Sequence, residues 1–119
     1  MARVLLVDDD PDIRDTTALR LQVGGHEVVA VPDADSALSE THQGRFDVAV
    51  LDIHLPDTDG LALLRHMRAD QATRDLPVIF YTAHWSAAVA EQGCALADAY
   101  LTKGQSLSRL LDTITELTS

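Results

Sequence analysis

Three short runs constrain this chain more than anything else in it: Val4–Val7 (VLLV), Val48–Leu51 (VAVL) and Val78–Tyr81 (VIFY). Each is continuously apolar rather than alternating, and rich in β-branched or aromatic residues. That is the pattern of a strand buried on both faces, as in a parallel sheet covered by helices above and below. Strands are expected at Arg3–Val7, Glu27–Val31, Val48–Leu51, Val78–Tyr81 and Ala99–Leu101.

Helical patterns fill the intervals. Asp10 precedes Pro11, a cap followed by a proline that suits a first helical position, and Gly24 or Gly25 ends the pattern. Ile13, Thr17 and Leu21 fall on one face of this helix. Asp33 caps a second helix, with Ala34, Ala37, Leu38 and Thr41 at core spacing and Gly44 at its end. A third runs over Gly60–Ala69, burying Leu61, Leu64 and Met67, with Asp59 as its cap and Asp57 in the preceding turn. A short Ala-rich helix is expected over Ser86–Gln92. The last, over Ser106–Leu117, carries Leu107, Leu110, Leu111, Ile114 and Leu117 in one stripe. Five βα units with right-handed crossovers make a doubly wound α/β sheet in one domain.

In such folds ligands sit at the carboxyl ends of the strands, and here those ends are polar. Strand one runs into Asp8, Asp9 and Asp10, strand three into Asp52, strand four into Thr82, and strand five leads to Lys103, the sole lysine. Two carboxylates about 4 Å apart repel by roughly 4 kcal/mol at an effective dielectric near 20. A hard divalent cation offsets that repulsion, and magnesium favours a few carboxylate oxygens with retained waters. Asp10 is accounted for as a helix cap.

The remaining features exclude several classes. The formal net charge is −10, from 9 basic and 19 acidic residues. With no basic cluster, the domain is not expected to bind nucleic acid directly. No apolar run approaches a membrane span. The single cysteine, Cys94, allows no intrachain disulfide and fits an apolar filler. With no leader expected ahead of the first strand, these features point to a reducing cytoplasm.

The segments LLVDDD, LDIHLPDTDG, YTA and YLTK, in this order and spacing, resemble the receiver domain of two-component response regulators. The resemblance covers essentially the whole chain, residues 1–119. It implies a flavodoxin-like five-stranded parallel sheet of order 2-1-3-4-5 and a phosphorylation-controlled signalling switch rather than an enzyme acting on other substrates. By the resemblance, Asp52 accepts a phosphoryl group from a partner histidine kinase or phosphotransfer protein. Mg2+ is held by Asp9, Asp52 and the backbone carbonyl of His54, with Asp8 binding mainly through water. Thr82 and Lys103 contact the phosphoryl oxygens, backbone amides near His54 and Ala83 complete the cradle, and Tyr100 turns inward as Thr82 moves. The surface of the fourth helix, fifth strand and last helix then changes toward a downstream protein target or a fused output domain.

Two departures stand out. Gly104 follows Lys103 where the family has proline, and the stretch from His84 to Asp98 lacks the usual Gly-Ala-Asp. Each of His54 and His84 lies two residues beyond a site residue; they fit equally well as tuners of phosphoryl lifetime and as exposed loop histidines. Trp85 stands at the entry of the fourth helix, as packing or as a lid. The departures keep open a degenerate receiver serving as an unphosphorylated scaffold. A flavin-binding relative of the fold is opposed by the anionic first loop, and an aspartyl-phosphate phosphatase by the lack of room for a substrate cap.

Overall fold

The computed structural model describes residues 1–83, 96–103 and 107–118. The strands are β1 (Arg3–Val7), β2 (Glu27–Val31), β3 (Val48–Leu51), β4 (Val78–Thr82) and β5 (Ala99–Thr102), joined in one parallel sheet of order β2-β1-β3-β4-β5. The helices among the described residues are α1 (Pro11–Val23), α2 (Ala34–Gln43), α3 (Gly60–Ala69) and α4 (Leu107–Thr118). The last is the helix expected over Ser106–Leu117. The expected helix over Ser86–Gln92, with His84, Trp85 and Cys94, and the peptide to Gly104, lie outside the described residues.

The sheet divides the core in two because side chains alternate across a strand. Leu5, Val7, Leu51 and Phe80 point to one face, where α2 and α3 cover them with Ala37, Leu64 and Met67. Val4, Leu6, Val50, Ile79 and Tyr81 point to the other, under Leu21 of α1 and Leu110 and Ile114 of α4. Full burial of one such aliphatic side chain contributes about 1.5–3 kcal/mol.

Two expectations need correcting. β4 and β5 each run one residue further than their apolar runs, because the pairing continues through Thr82 and Thr102. Ile13 is 37% exposed and does not join Thr17 and Leu21 in the core. It lies in the first turn of α1, beside an open cavity bordered by Tyr81, Lys103 and Leu107. In α4 only Leu110 and Ile114 are fully covered, while Leu107, Leu111 and Leu117 are half-buried at the margin. No helix among the described residues is long and apolar enough to cross a membrane.

Candidate functional site

Strand register builds the site. Val7 and Leu51 are paired across β1 and β3, so the residues that follow them, Asp8 and Asp52, emerge side by side. Their backbones stay tied to the sheet. The Asp8 N–H donates to Val31 O at 3.1 Å, and the Asp52 N–H donates to Val7 O at 2.9 Å. Both side chains are sunk into the protein, Asp8 being 2% and Asp52 7% exposed, whereas Asp9 faces solvent. One oxygen from each of these three carboxylates lies within 4.8 Å of the others.

Lys103 joins them from β5. Its N–H donates to Thr82 O at 2.8 Å, and its side chain reaches back toward β1 and β3. Nζ lies 2.5 Å from Asp8 Oδ2 and 2.8 Å from Asp52 Oδ2. Burial opposes the lysine charge, but hydrogen bonds to Asp52 and Asp8 outweigh it and hold the ammonium above its ordinary range. For Asp8 burial dominates and raises its carboxyl above the usual range, against the lowering effect of Lys103 and of the Asp10 N–H. The Asp10 N–H donates to Asp8 Oδ1 at 3.0 Å. Three carboxylates against one ammonium leave two negative charges uncompensated, the charge of one divalent cation. An all-oxygen donor set with this surplus fits Mg2+.

The loop after Asp52 is folded tightly back. His54 and Asp59 form an isolated antiparallel bridge, the His54 N–H points at Asp52 Oδ1 at 3.3 Å, and the Gly60 N–H donates to Ile53 O at 2.6 Å. Gly60 is pressed onto the acceptor strand: a Cβ there would lie 2.4 Å from the Asp52 carbonyl oxygen and 2.8 Å from Ile53 Cα. Asp59 caps α3 by accepting the Ala62 N–H at 2.7 Å, as expected, and Asp10 caps α1 in the same way.

Thr82 is fully buried at the end of β4. Tyr100 is half-buried on β5 and packs edge-on against Phe80, with ring centroids 6.0 Å apart. Phe80 pairs with Tyr100 and Thr82 with Thr102, so Thr82 and Tyr100 project from the same face of adjacent strands. Of the candidate tuning residues, His54 is exposed at the rim and His84 lies outside the described residues.

The roles of two participants went unread in the sequence. Arg14 of α1 donates from Nη1 to the Asp8 carbonyl oxygen at 3.0 Å; its place one turn after the aspartate run is a usable signal. Asp57 reaches out of the acceptor loop to α2, and nothing local in the sequence marks it. A larger cavity of about 670 Å³, bordered by Arg45, Asp47, Thr73 and Asp75, lies at the opposite end of the strands. It has no part in this cluster.

The family model for the response regulator receiver domain matches residues 4–115, and the chain belongs to that family. Receiver domains are signalling domains that interact with histidine kinases or phosphotransfer proteins, and they generally use Mg2+. The chain is similar to the DNA-binding dual master transcriptional regulator RpaA of Synechocystis sp., with 34% identity over 112 residues, 93% of this chain and 46% of that protein. Among solved structures it resembles the chemotaxis response regulator CheY4 of Vibrio cholerae, with a TM-score of 0.89, 30% identity and 98% of each chain covered. It also resembles the response regulator TrrA of Thermotoga maritima, solved in complex with Mg2+-BeF, with a TM-score of 0.87, 29% identity, and 98% of this chain and 99% of that one covered. The chain spans less than half the length of the curated relatives it matches.

Proposed function

We propose that residues 1–119 form one receiver domain that is switched by phosphorylation of Asp52 in a Mg2+-dependent reaction. The observation that carries this reading is the shared grip of Lys103 on Asp8 and Asp52 beside the exposed Asp9. Asp9, Asp52 and the His54 carbonyl would hold Mg2+, with Asp8 acting through water. When bound, the ion would neutralise the acidic cluster and the phosphoryl oxygens. An Asp52 carboxylate oxygen attacks the phosphorus of a partner's phosphohistidine, the P–O bond forms as the P–N bond breaks, and the imidazole nitrogen keeps the electron pair and takes a proton. The protein's contribution is positioning and charge compensation, which is most of what phosphoryl transfer requires. Lys103 then turns from Asp52 toward the transferred oxygens, and Thr82 and the amides near His54 and Ala83 supply donors.

Tyr100, on the same face as Thr82, carries the change to the β5 surface, where a downstream protein or a fused output domain reads it. The domain catalyses only its own phosphorylation and dephosphorylation, and it works in the cytoplasm. By sequence position alone, two residues beyond Asp52 and Thr82, His54 and His84 are candidates for tuning the lifetime of the phosphoryl group and equally for plain loop histidines. The test is incubation with Mg2+ and acetyl phosphate, read by intact mass. One acid-labile phosphoryl group is expected on the wild type and none on Asp52→Asn. Wild-type levels of phosphate on Asp52→Asn would remove the assignment.

A further inference from the structure

The acceptor loop has a second anchor, the start of α2, more than twenty residues upstream of Asp57. Asp57 Oδ1 accepts the Ala34 N–H and Asp57 Oδ2 accepts the Asp35 N–H, both at 3.1 Å. These are the first N–H groups of α2, and the helix has its own cap as well, since Asp33 Oδ1 accepts the Ser36 N–H at 2.8 Å. A helix start leaves several amides without an intrahelical partner. Here a residue on a different loop takes two of them with both oxygens of one carboxylate. The Ala34 N–H is the leading reason that the Asp57 carboxyl is held below the usual range.

The base of the same loop is fixed to the acceptor. His54 bridges Asp59, the His54 N–H points at Asp52 Oδ1, and Gly60 abuts the Asp52 carbonyl. The segment 54–59 is therefore held at its base by the acceptor strand and near its tip by α2. We infer that Asp57 is a positioning residue, a clasp through which occupancy of the Asp52 site and the start of α2 influence each other. The inference rests on the Mg2+-dependent reading of that site. Coupling of this kind is reciprocal. If the bound cation favours the loop position that the clasp holds, then opening the clasp weakens the cation by the same factor by which the cation tightens the clasp.

The test compares Asp57→Ala with Asp33→Ala. Both remove a cap from α2, but only the first releases the acceptor loop. Mg2+ is titrated into each full chain, alone and with beryllofluoride, and followed by amide NMR. In the wild type the Ala34 and Asp35 amides are expected to shift along the same binding curve as those of Asp52 and His54. Asp57→Ala is expected to weaken Mg2+ about fivefold or more and to uncouple the α2 amides. Asp57→Asn, which keeps one acceptor oxygen, is expected to fall between, and it serves if the alanine variant does not fold. Asp33→Ala is expected to lower the melting temperature while keeping the wild-type Mg2+ affinity. Wild-type affinity in both Asp57 variants overturns the clasp alone, as does equal weakening by Asp33→Ala or a wild type whose Ala34 and Asp35 amides stay still. A wild type that binds no Mg2+ overturns the metal reading, and the clasp with it.

Discussion

Lys103 Nζ lies 2.8 Å from Asp52 Oδ2, joining residues 51 positions apart in sequence. The same ammonium also holds Asp8. One cation thus compensates two buried carboxylates. Removing one partner of a buried pair costs about 3–5 kcal/mol because the remaining charge is left uncompensated. Lys103→Ala is expected to destabilise the protein by about 3 kcal/mol in urea unfolding without metal. Millimolar Mg2+ is expected to restore part of that loss, since it supplies positive charge to the same oxygens. A deficit that Mg2+ leaves untouched would count against a shared charge balance.

Asp8 gives the opposite sign. Burial raises its carboxyl above the ordinary value of 3.8, so the folded state takes up a proton more readily than the unfolded chain. Ionised Asp8 therefore opposes folding at neutral pH, and the penalty lifts as pH falls through its raised folded value toward the unfolded one. Asp8→Asn keeps an acceptor for Lys103 and removes the charge. Without metal it is expected to raise Tm at pH 7. The gain is expected to shrink as the melts are repeated toward pH 4, and the stabilisation by Mg2+ is expected to fall. A variant less stable than wild type at pH 7 would show that Asp8 contributes more as an ion-pair partner than it costs as a buried charge.

Gly60 tests the packing of the acceptor loop. At the first turn of an exposed helix, alanine would normally gain up to about 1 kcal/mol over glycine. Here the new Cβ meets the Asp52 carbonyl oxygen and Ile53 Cα, and overpacking of this kind costs about 1–3 kcal/mol. Gly60→Ala is expected to lower Tm and to slow phosphorylation by acetyl phosphate, since the displaced backbone belongs to the acceptor itself. A stabilised variant would mean that the loop gives way without cost.

Much of this was legible because it is carried by local signals. VLLV, VAVL and VIFY announce buried strands, Asp10, Asp33 and Asp59 announce helix starts, and the strand ends bring Asp8, Asp52 and Lys103 to one edge. What escaped depends on partners distant in sequence. Ile13 has the same i, i+4 spacing as Thr17 and Leu21, yet it lies at the open edge beside a cavity and stays exposed. Asp57 reads as a turn residue because its partners, Ala34 and Asp35, are more than twenty residues upstream. Thr82 and Thr102 belong to strands although they are polar, because the ladder continues until a pairing partner is lacking and not until hydrophobicity ends.

Arg68, at the end of α3, separates stability from signalling. Its Nε donates to Leu96 O at 3.0 Å, its Nη1 is shared among Leu76 O at 2.7 Å, Arg74 O at 3.1 Å and Thr73 O at 3.3 Å, and its Nη2 reaches Asp98 Oδ2 at 3.3 Å. Asp98 Oδ2 also accepts the Val78 N–H at 2.8 Å, which fixes the start of β4. The guanidinium thus ties together the α3–β4 connection and the entry to β5, at the end of the sheet away from Asp52. Buried carbonyls left without a donor cost about 1–3 kcal/mol each, and partial access of water at this edge reduces the sum. Arg68→Ala is expected to destabilise by about 2–3 kcal/mol in urea unfolding, with Mg2+ affinity unchanged. Arg68→Lys is expected to recover only part of that loss, because a single ammonium cannot reproduce the planar fork. A change in Mg2+ affinity equal to that of an acceptor-site variant would show that the two ends of the sheet are coupled.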